Sequence, residues 1–158
     1  MSHRHKKWIR RAGRILFLVY LALLIYFLFF AEGYGRQVSG TREYRYNLVP
    51  FTEIRRFWVY REQVGTLAAF LNLGGNVLGF MPFGFLLPVL SQRFGRFWIT
   101  VPLGFSLSLA VECTQLAAKV GSFDVDDILL NTLGVLLGWL AFRFLNWIRR
   151  TVFYGKKI

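Results

Sequence analysis

The chain has 158 residues, of which 55% are hydrophobic and only 18% are charged, whereas soluble domains carry roughly 25% charged residues. This composition argues against a water-soluble, disordered or fibrous protein, and the length predicts a single domain. The formal net charge of +12 is compatible with nucleic-acid binding, but no basic run alternates with stacking aromatic residues outside the hydrophobic segments. We therefore expect no nucleic-acid partner, and membrane orientation accounts better for the charge.

Four apolar segments approach or meet the length that crosses a bilayer, which is about 20 helical residues. They cover approximately residues 15–31, 67–90, 97–118 and 127–147. The first segment has no charged residue, while the other three each carry polar side chains. The pattern predicts an all-α fold, a polytopic membrane bundle of four transmembrane helices.

The distribution of basic residues predicts the orientation of these spans. Six Lys or Arg residues precede the first span, two lie between the second and third, and five follow from Arg143 onward, so that 13 of the 20 lie on one side. The positive-inside rule then places both termini in the cytoplasm. We expect a basic cytoplasmic tail at 1–14, a single transmembrane domain at 15–147 and a second basic cytoplasmic tail at 148–158.

The first extracytoplasmic connection, from about residue 32 to 66, is too long for a simple turn. After Pro50, the side chains of Ile54, Phe57 and Trp58 share one helical face, with charged residues elsewhere. This spacing predicts a short amphipathic helix lying in the membrane interface.

Polar residues within the spans follow helical spacing, because residues three and four apart share a face. The stripes are Asn72, Asn76 and Gly79; Ser108, Glu112, Gln115 and Lys119; and Asp127, Asn131, Gly134 and Gly138. The predicted orientation puts the polar part of each stripe near the outer leaflet. Since such groups are costly against lipid, the stripes predict a polar pocket open to the outside.

Small residues below the polar groups predict close helix packing. Gly75 with Gly79, and Gly134 with Gly138, are glycine pairs at the four-residue spacing that lets membrane helices approach each other. We interpret both pairs as packing surfaces.

Two acidic features each have two interpretations. Glu112 is an ionisable group within a span, which suggests function, but it can also form a helix-to-helix hydrogen bond. The run of Asp124, Asp126 and Asp127 can supply oxygen ligands to Mg²⁺ or another divalent cation. The same run also suits the N-cap and first turn of the fourth helix.

Four blocks in the chain together resemble the VanZ-like family. They are NLVPF at 47–51, NLGGNVLGFMPFG at 72–84, ECTQ at 112–115 and FDVDDILLNTLG at 123–134. Members of that family are small multi-pass bacterial membrane proteins, and the family takes its name from one that gives low-level resistance to the glycopeptide teicoplanin. By motif match, the resemblance singles out the following positions: Asn47, Pro50, Asn76, Glu112, Gln115, Asp124, Asp127 and Asn131. This chain has Gly121 and Ser122 where family members often carry an arginine.

The resemblance and the predicted pocket together suggest a protein of the bacterial inner membrane that binds an envelope lipid or a lipid-linked cell-wall precursor and alters glycopeptide susceptibility. An alternative is a metal-assisted transferase or hydrolase acting on a phosphorylated or acylated lipid, with Glu112 and Asp127 as the candidate catalytic residues. The candidate ligand-binding residues are Asn47, Asn72, Asn76, Gln115, Asp124, Asp126 and Asn131. The candidate metal ligands are Asp124, Asp126 and Asp127. The sequence leaves open whether a reaction is catalysed and which oligomer forms.

Overall fold

The computed structural model of the chain describes residues 3–29 and 44–154. Within these residues the chain forms six α-helices and two very short strands. In chain order they are α1 (His3–Phe29), β1 (Tyr46–Asn47), α2 (Thr52–Val59), α3 (Arg61–Val64), α4 (Thr66–Leu90), α5 (Phe97–Ala118), β2 (Phe123–Asp124) and α6 (Val125–Tyr154).

Four of these helices are long and apolar enough to cross a membrane. The qualifying stretches are Arg11–Phe29 in α1, Ala69–Leu90 in α4, Phe97–Ala118 in α5 and Val125–Val152 in α6. The predicted all-α bundle with four spans is therefore confirmed. Helices α1 and α6 continue beyond the predicted spans into basic sequence, which is compatible with helix because Lys and Arg are good helix formers.

Helices α4 and α6 lie side by side and parallel, with their backbones in close approach. A Cβ atom at Gly134 would overlap the carbonyl of Val77, and one at Gly138 would overlap the carbonyl of Met81. On α4, a Cβ atom at Gly84 would overlap the carbonyl of Val135. These contacts leave no room for a side chain, so the prediction that Gly134 and Gly138 form a packing surface is confirmed.

The glycine pair of α4 behaves differently. Among the described residues, nothing lies within 4 Å of a Cβ built at Gly75, and the nearest atom at Gly79 is a methyl of Leu24 at 3.9 Å. The packing prediction was wrong for Gly75, because α4 turns the face with Val77 and Met81 toward α6. The spacing of Gly75 and Gly79 suits close packing, but α6 packs against the face of α4 that carries Val77 and Met81.

The apolar core lies between α1, α4 and α6. It is centred on Leu24, Phe80, Phe83, Leu87 and Val135, which are buried. Helix α1 is also tied to α4 by the Tyr20 hydroxyl, which donates a hydrogen bond of 2.9 Å to the carbonyl of Gly79. Removal of these side chains from water is not the driving force within lipid, so close packing and hydrogen bonds hold the helices together.

The first connection is attached to the bundle by backbone pairing. Strands β1 and β2 form a two-residue parallel ladder, in which Tyr46 pairs with Phe123 and Asn47 with Asp124. The helix predicted after Pro50 is present as α2. On it, Ile54 and Phe57 are half-buried, whereas Trp58 is exposed. The ladder therefore brings α2 to the start of α6.

Candidate functional site

The polar residues of the spans meet at one end of the bundle, which we call the polar end. It is formed by the C-terminal ends of α1 and α5 and the N-terminal ends of α4 and α6. The Gln115 amide donates to the carbonyl of Leu28 at 2.9 Å, and the Asn76 amide donates to a carboxylate oxygen of Asp127 at 2.5 Å. Residues distant in the sequence thus share one site because alternate helices run in opposite directions.

Glu112 lies inside the polar end, with only 2% of its surface exposed. Its Oε2 accepts a hydrogen bond of 2.9 Å from the backbone N–H of Asp124. This contact joins α5 to the first residues before α6. Glu112 also interacts electrostatically with Asp124 and Asp127, so its carboxyl group lies among other acids.

Asp124 caps the start of α6. Its Oδ1 accepts the backbone N–H of Asp126 at 2.8 Å, as an N-cap side chain does, and also accepts the side-chain amide of Asn47 at 3.1 Å. Burial raises the pKa of the Asp124 carboxyl, and these two hydrogen bonds offset that shift only in part. Asn47 is placed for this contact by the β1–β2 ladder.

Asp126 caps a different helix. This fully buried carboxylate accepts the backbone N–H groups of Phe51, Glu53 and Ile54 at 2.5, 2.8 and 3.1 Å. These are donors at the start of α2 that have no partner within their own helix. Phe51 has a φ of 67°, a left-handed conformation that few non-glycine residues adopt, and it lies at the turn into α2. Asp126 therefore fastens α2 to α6.

Glu53 and Arg56 belong to the polar end, although the sequence analysis did not single them out as site residues. Burial raises the pKa of Glu53, nearby Asp124 and Asp126 add to that shift, and Arg56 opposes it. The Arg56 guanidinium forms an ion pair of 2.5 Å with Glu53. The signal available in the sequence was the three-residue spacing of this pair next to Pro50, which alone does not locate α2.

Five of the eight acidic residues of the chain thus gather at the polar end. We call this group the acidic cluster: Glu53, Glu112, Asp124, Asp126 and Asp127. Three of them come from α6 or the residue before it, and one each from α2 and α5. Mutual repulsion makes such a group an attractive site for hydrogen-bond donors and cations.

A second polar layer lies one helical turn deeper. The Asn131 amide donates to the hydroxyl of Ser108 at 2.9 Å, and both residues are buried. Within the described part of the chain, the Oδ1 of Asn131 is buried without a hydrogen-bond partner. Below it, the fully buried Val135 packs against Gly104 of α5, which ends the polar layer.

The remaining candidates are placed as follows. Asn72 is exposed on α4 and its side chain makes no hydrogen bond with any other described residue, so the structure does not bring it into the cluster. Among residues 3–29 and 44–154, no three His, Cys, Asp or Glu side chains are arranged to hold a metal ion. Two of the three candidate metal ligands, Asp124 and Asp126, instead act as helix caps.

Comparison with known proteins agrees with the resemblance in the sequence. The profile of the family described as VanZ/LLP1 matches residues 17–146, a range that contains the whole acidic cluster. The chain is also similar to Protein VanZ of Enterococcus faecium, with 32% identity over 127 residues that cover 80% of this chain and 70% of that protein. No solved structure matches.

Proposed function

The chain belongs to the VanZ/LLP1 family of multi-pass membrane proteins, and from this we propose that its polar end binds an envelope lipid or a lipid-linked cell-wall component. Binding there lowers susceptibility to glycopeptides such as teicoplanin. The observation that carries the proposal is the acidic cluster, which collects five carboxyl groups at one end of the bundle under α2.

The orientation that the proposal needs is supported by charge. The acidic cluster lies at the end that the positive-inside rule assigns to the outside, because 13 of the 20 Lys and Arg residues lie on the other side. In this arrangement the protein lies in the bacterial inner membrane with one domain at 15–147. The basic tails at 1–14 and 148–158 face the cytoplasm, where glycopeptides do not act.

The chemistry of the cluster suits a ligand with N–H or O–H groups. Carboxylates accept hydrogen bonds but donate none when ionised, and Asn131 adds a buried acceptor without a described partner. In the proposed complex Glu112 and the pair Asp124 and Asp127 carry the charge. The side chains that orient the ligand are Asn76, Gln115 and Asn131. Asp126 holds α2 over this group.

Replacement of Glu112 tests the proposal. A Gram-positive host without a relative of this protein would express the wild-type chain, the Glu112→Gln variant or the control variant Cys113→Ser. Cys113 follows Glu112 in the chain, but its side chain is exposed. We expect the wild type and the control to raise the teicoplanin concentration that inhibits growth, and Glu112→Gln to lose most of that effect. Glutamine keeps the oxygen that accepts the Asp124 N–H, so the thermal midpoint in detergent should stay near that of the wild type.

The same assay separates function from a purely structural role. Full protection by Glu112→Gln would refute the proposal, and so would a loss of protection that only follows a loss of folded protein. Sidedness is checked with single cysteines at Ser122 near the cluster and Gln92 at the other end, both in the Cys113→Ser background. An impermeant thiol reagent should label position 122 and not position 92 in intact cells.

A further inference from the structure

A groove on the exposed side of α2 is lined by none of the carboxyl groups of the acidic cluster. It is open to the surroundings, has a volume of about 500 Å³ and is lined mainly by Val49, Phe51, Val59, Tyr60, Arg55 and Arg56. Sites of this size hold small ligands in other proteins. We propose that this groove binds the phosphate-bearing head of a membrane lipid.

The height of the groove relative to the membrane follows from the attachment of α2. Asp126 lies in the first turn of α6, where the membrane-spanning stretch begins at Val125. Its carboxylate holds the first N–H groups of α2, so α2 lies at the level where that span leaves the hydrocarbon. Trp58 and Tyr60 are exposed there, and such side chains favour the headgroup region.

The charge in the groove is positive and only partly neutralised. Arg56 is paired with Glu53, but the guanidinium of the exposed Arg55 forms no hydrogen bond or ion pair with any described residue. A guanidinium group presents a planar fork of donors that fits phosphate oxygens. The groove therefore complements an anion beside Arg55, whereas the acidic cluster beneath α2 repels one.

The walls of the groove favour a lipid over free phosphate. Val49, Phe51 and Val59 are 65%, 64% and 57% exposed, and they line the same groove as the two arginines. An inorganic anion gains nothing from apolar walls, whereas the glycerol and upper acyl carbons of a lipid would cover them. The occupant is thus an amphipathic molecule whose phosphate-bearing head has a net negative charge.

This inference rests on the proposed function in one respect, because it specifies the head chemistry of a lipid bound at the same end of the bundle. Two parts of one ligand could then be recognised separately, with the phosphate at Arg55 and the donor groups at the acidic cluster.

Lipid binding by the full-length protein in detergent tests the inference. The probe is a fluorescent short-chain phosphatidic acid, with Arg55→Gln as the test variant and Arg61→Gln as the control. Arg61 is a nearby arginine that bonds the carbonyl of Trp58 and does not line the groove. We expect Arg55→Gln to weaken phosphatidic acid binding about fivefold and Arg61→Gln to leave it unchanged.

Competition identifies the source of the phosphate. Short-chain phosphatidylcholine and inorganic phosphate should compete poorly, the first because its head is zwitterionic and the second because it lacks a chain. Equal weakening by both arginine variants, no weakening by either, or full competition by inorganic phosphate would each overturn the inference. If Arg55→Gln has no effect on binding while Glu112→Gln still abolishes teicoplanin protection, this inference fails and the proposed function stands.

Discussion

Replacement of Asp126 with asparagine should release α2 from the bundle without unfolding the spans. The carboxylate of Asp126 accepts three backbone N–H groups, from Phe51, Glu53 and Ile54, at 2.5 to 3.1 Å. Asparagine keeps one oxygen but loses the negative charge, and its amide hydrogens face the same donors. The change therefore removes most of the capping interaction at the start of α2. The residue at the N-cap position of α2, Phe51, supplies no side-chain hydrogen bond there.

The size of the effect can be worked from these contacts. A hydrogen bond to a charged group contributes about 1.5 to 3 kcal/mol, but donors on a detached helix regain water. The net loss of free energy that attaches α2 should therefore be about 2.5 kcal/mol, close to the contribution of one strong hydrogen bond and not of three. That loss corresponds to about a 60-fold change in the equilibrium between attached and detached α2.

Hydrogen exchange measured by mass spectrometry reports this equilibrium directly. In Asp126→Asn, amides at 51–54 should exchange about 60-fold faster than in the wild type, whereas amides within α4 and α6 should keep their protection. Glu62→Gln serves as the control, because it also removes one acidic charge near α2 but from an exposed side chain. Unchanged exchange at 51–54 would refute the capping argument, and equal loss of protection across the spans would refute its local character.

Two further substitution sets test packing and electrostatics. Gly138→Ala should destabilise the bundle by about 1 to 3 kcal/mol, because the new Cβ would overlap the carbonyl of Met81. Gly75→Ala should be neutral or stabilising, because the space around Gly75 is open. Equal thermal midpoints of the two variants in detergent would contradict this packing argument. Burial raises the pKa of Glu53 and Asp124, so their contribution to stability is fully present below the ordinary carboxyl pKa of about 4 and is lost as pH rises through the raised values. The thermal midpoint should therefore be higher at pH 4 than at pH 7, and the double variant Glu53→Gln with Asp124→Asn should narrow that difference in thermal midpoint. An unchanged pH dependence in the double variant would show that other groups cause it.

The spans and their helical state were predictable because both depend on local sequence. Within a membrane, the backbone N–H and C=O groups must form hydrogen bonds within the protein, so an apolar run of sufficient length forms a helix. The short helix after Pro50 was also local, since its apolar residues share one face. Consecutive spans cross the membrane in opposite directions. This alternation already implied that Asn76, Glu112 and Asp127 lie at the same end of the bundle.

Long-range contacts were not predictable in the same way. Asp126 and α2 are separated by more than 70 residues, and nothing local distinguishes a carboxylate that caps another helix from one that binds a ligand. The β1–β2 ladder likewise joins residues 77 positions apart, and it helps to bring Glu53 into the acidic cluster and Arg56 next to it.

The choice between glycine faces shows the same limit. Gly75 and Gly134 looked equivalent in the sequence, but only Gly134 lies against a neighbouring backbone. The sequence by itself determined four helices with polar groups at one end, because hydrogen bonding within each helix depends on local residues alone. The tertiary structure decided which faces meet and which carboxylates are consumed as caps, because those depend on the fit between surfaces brought together from distant parts of the chain.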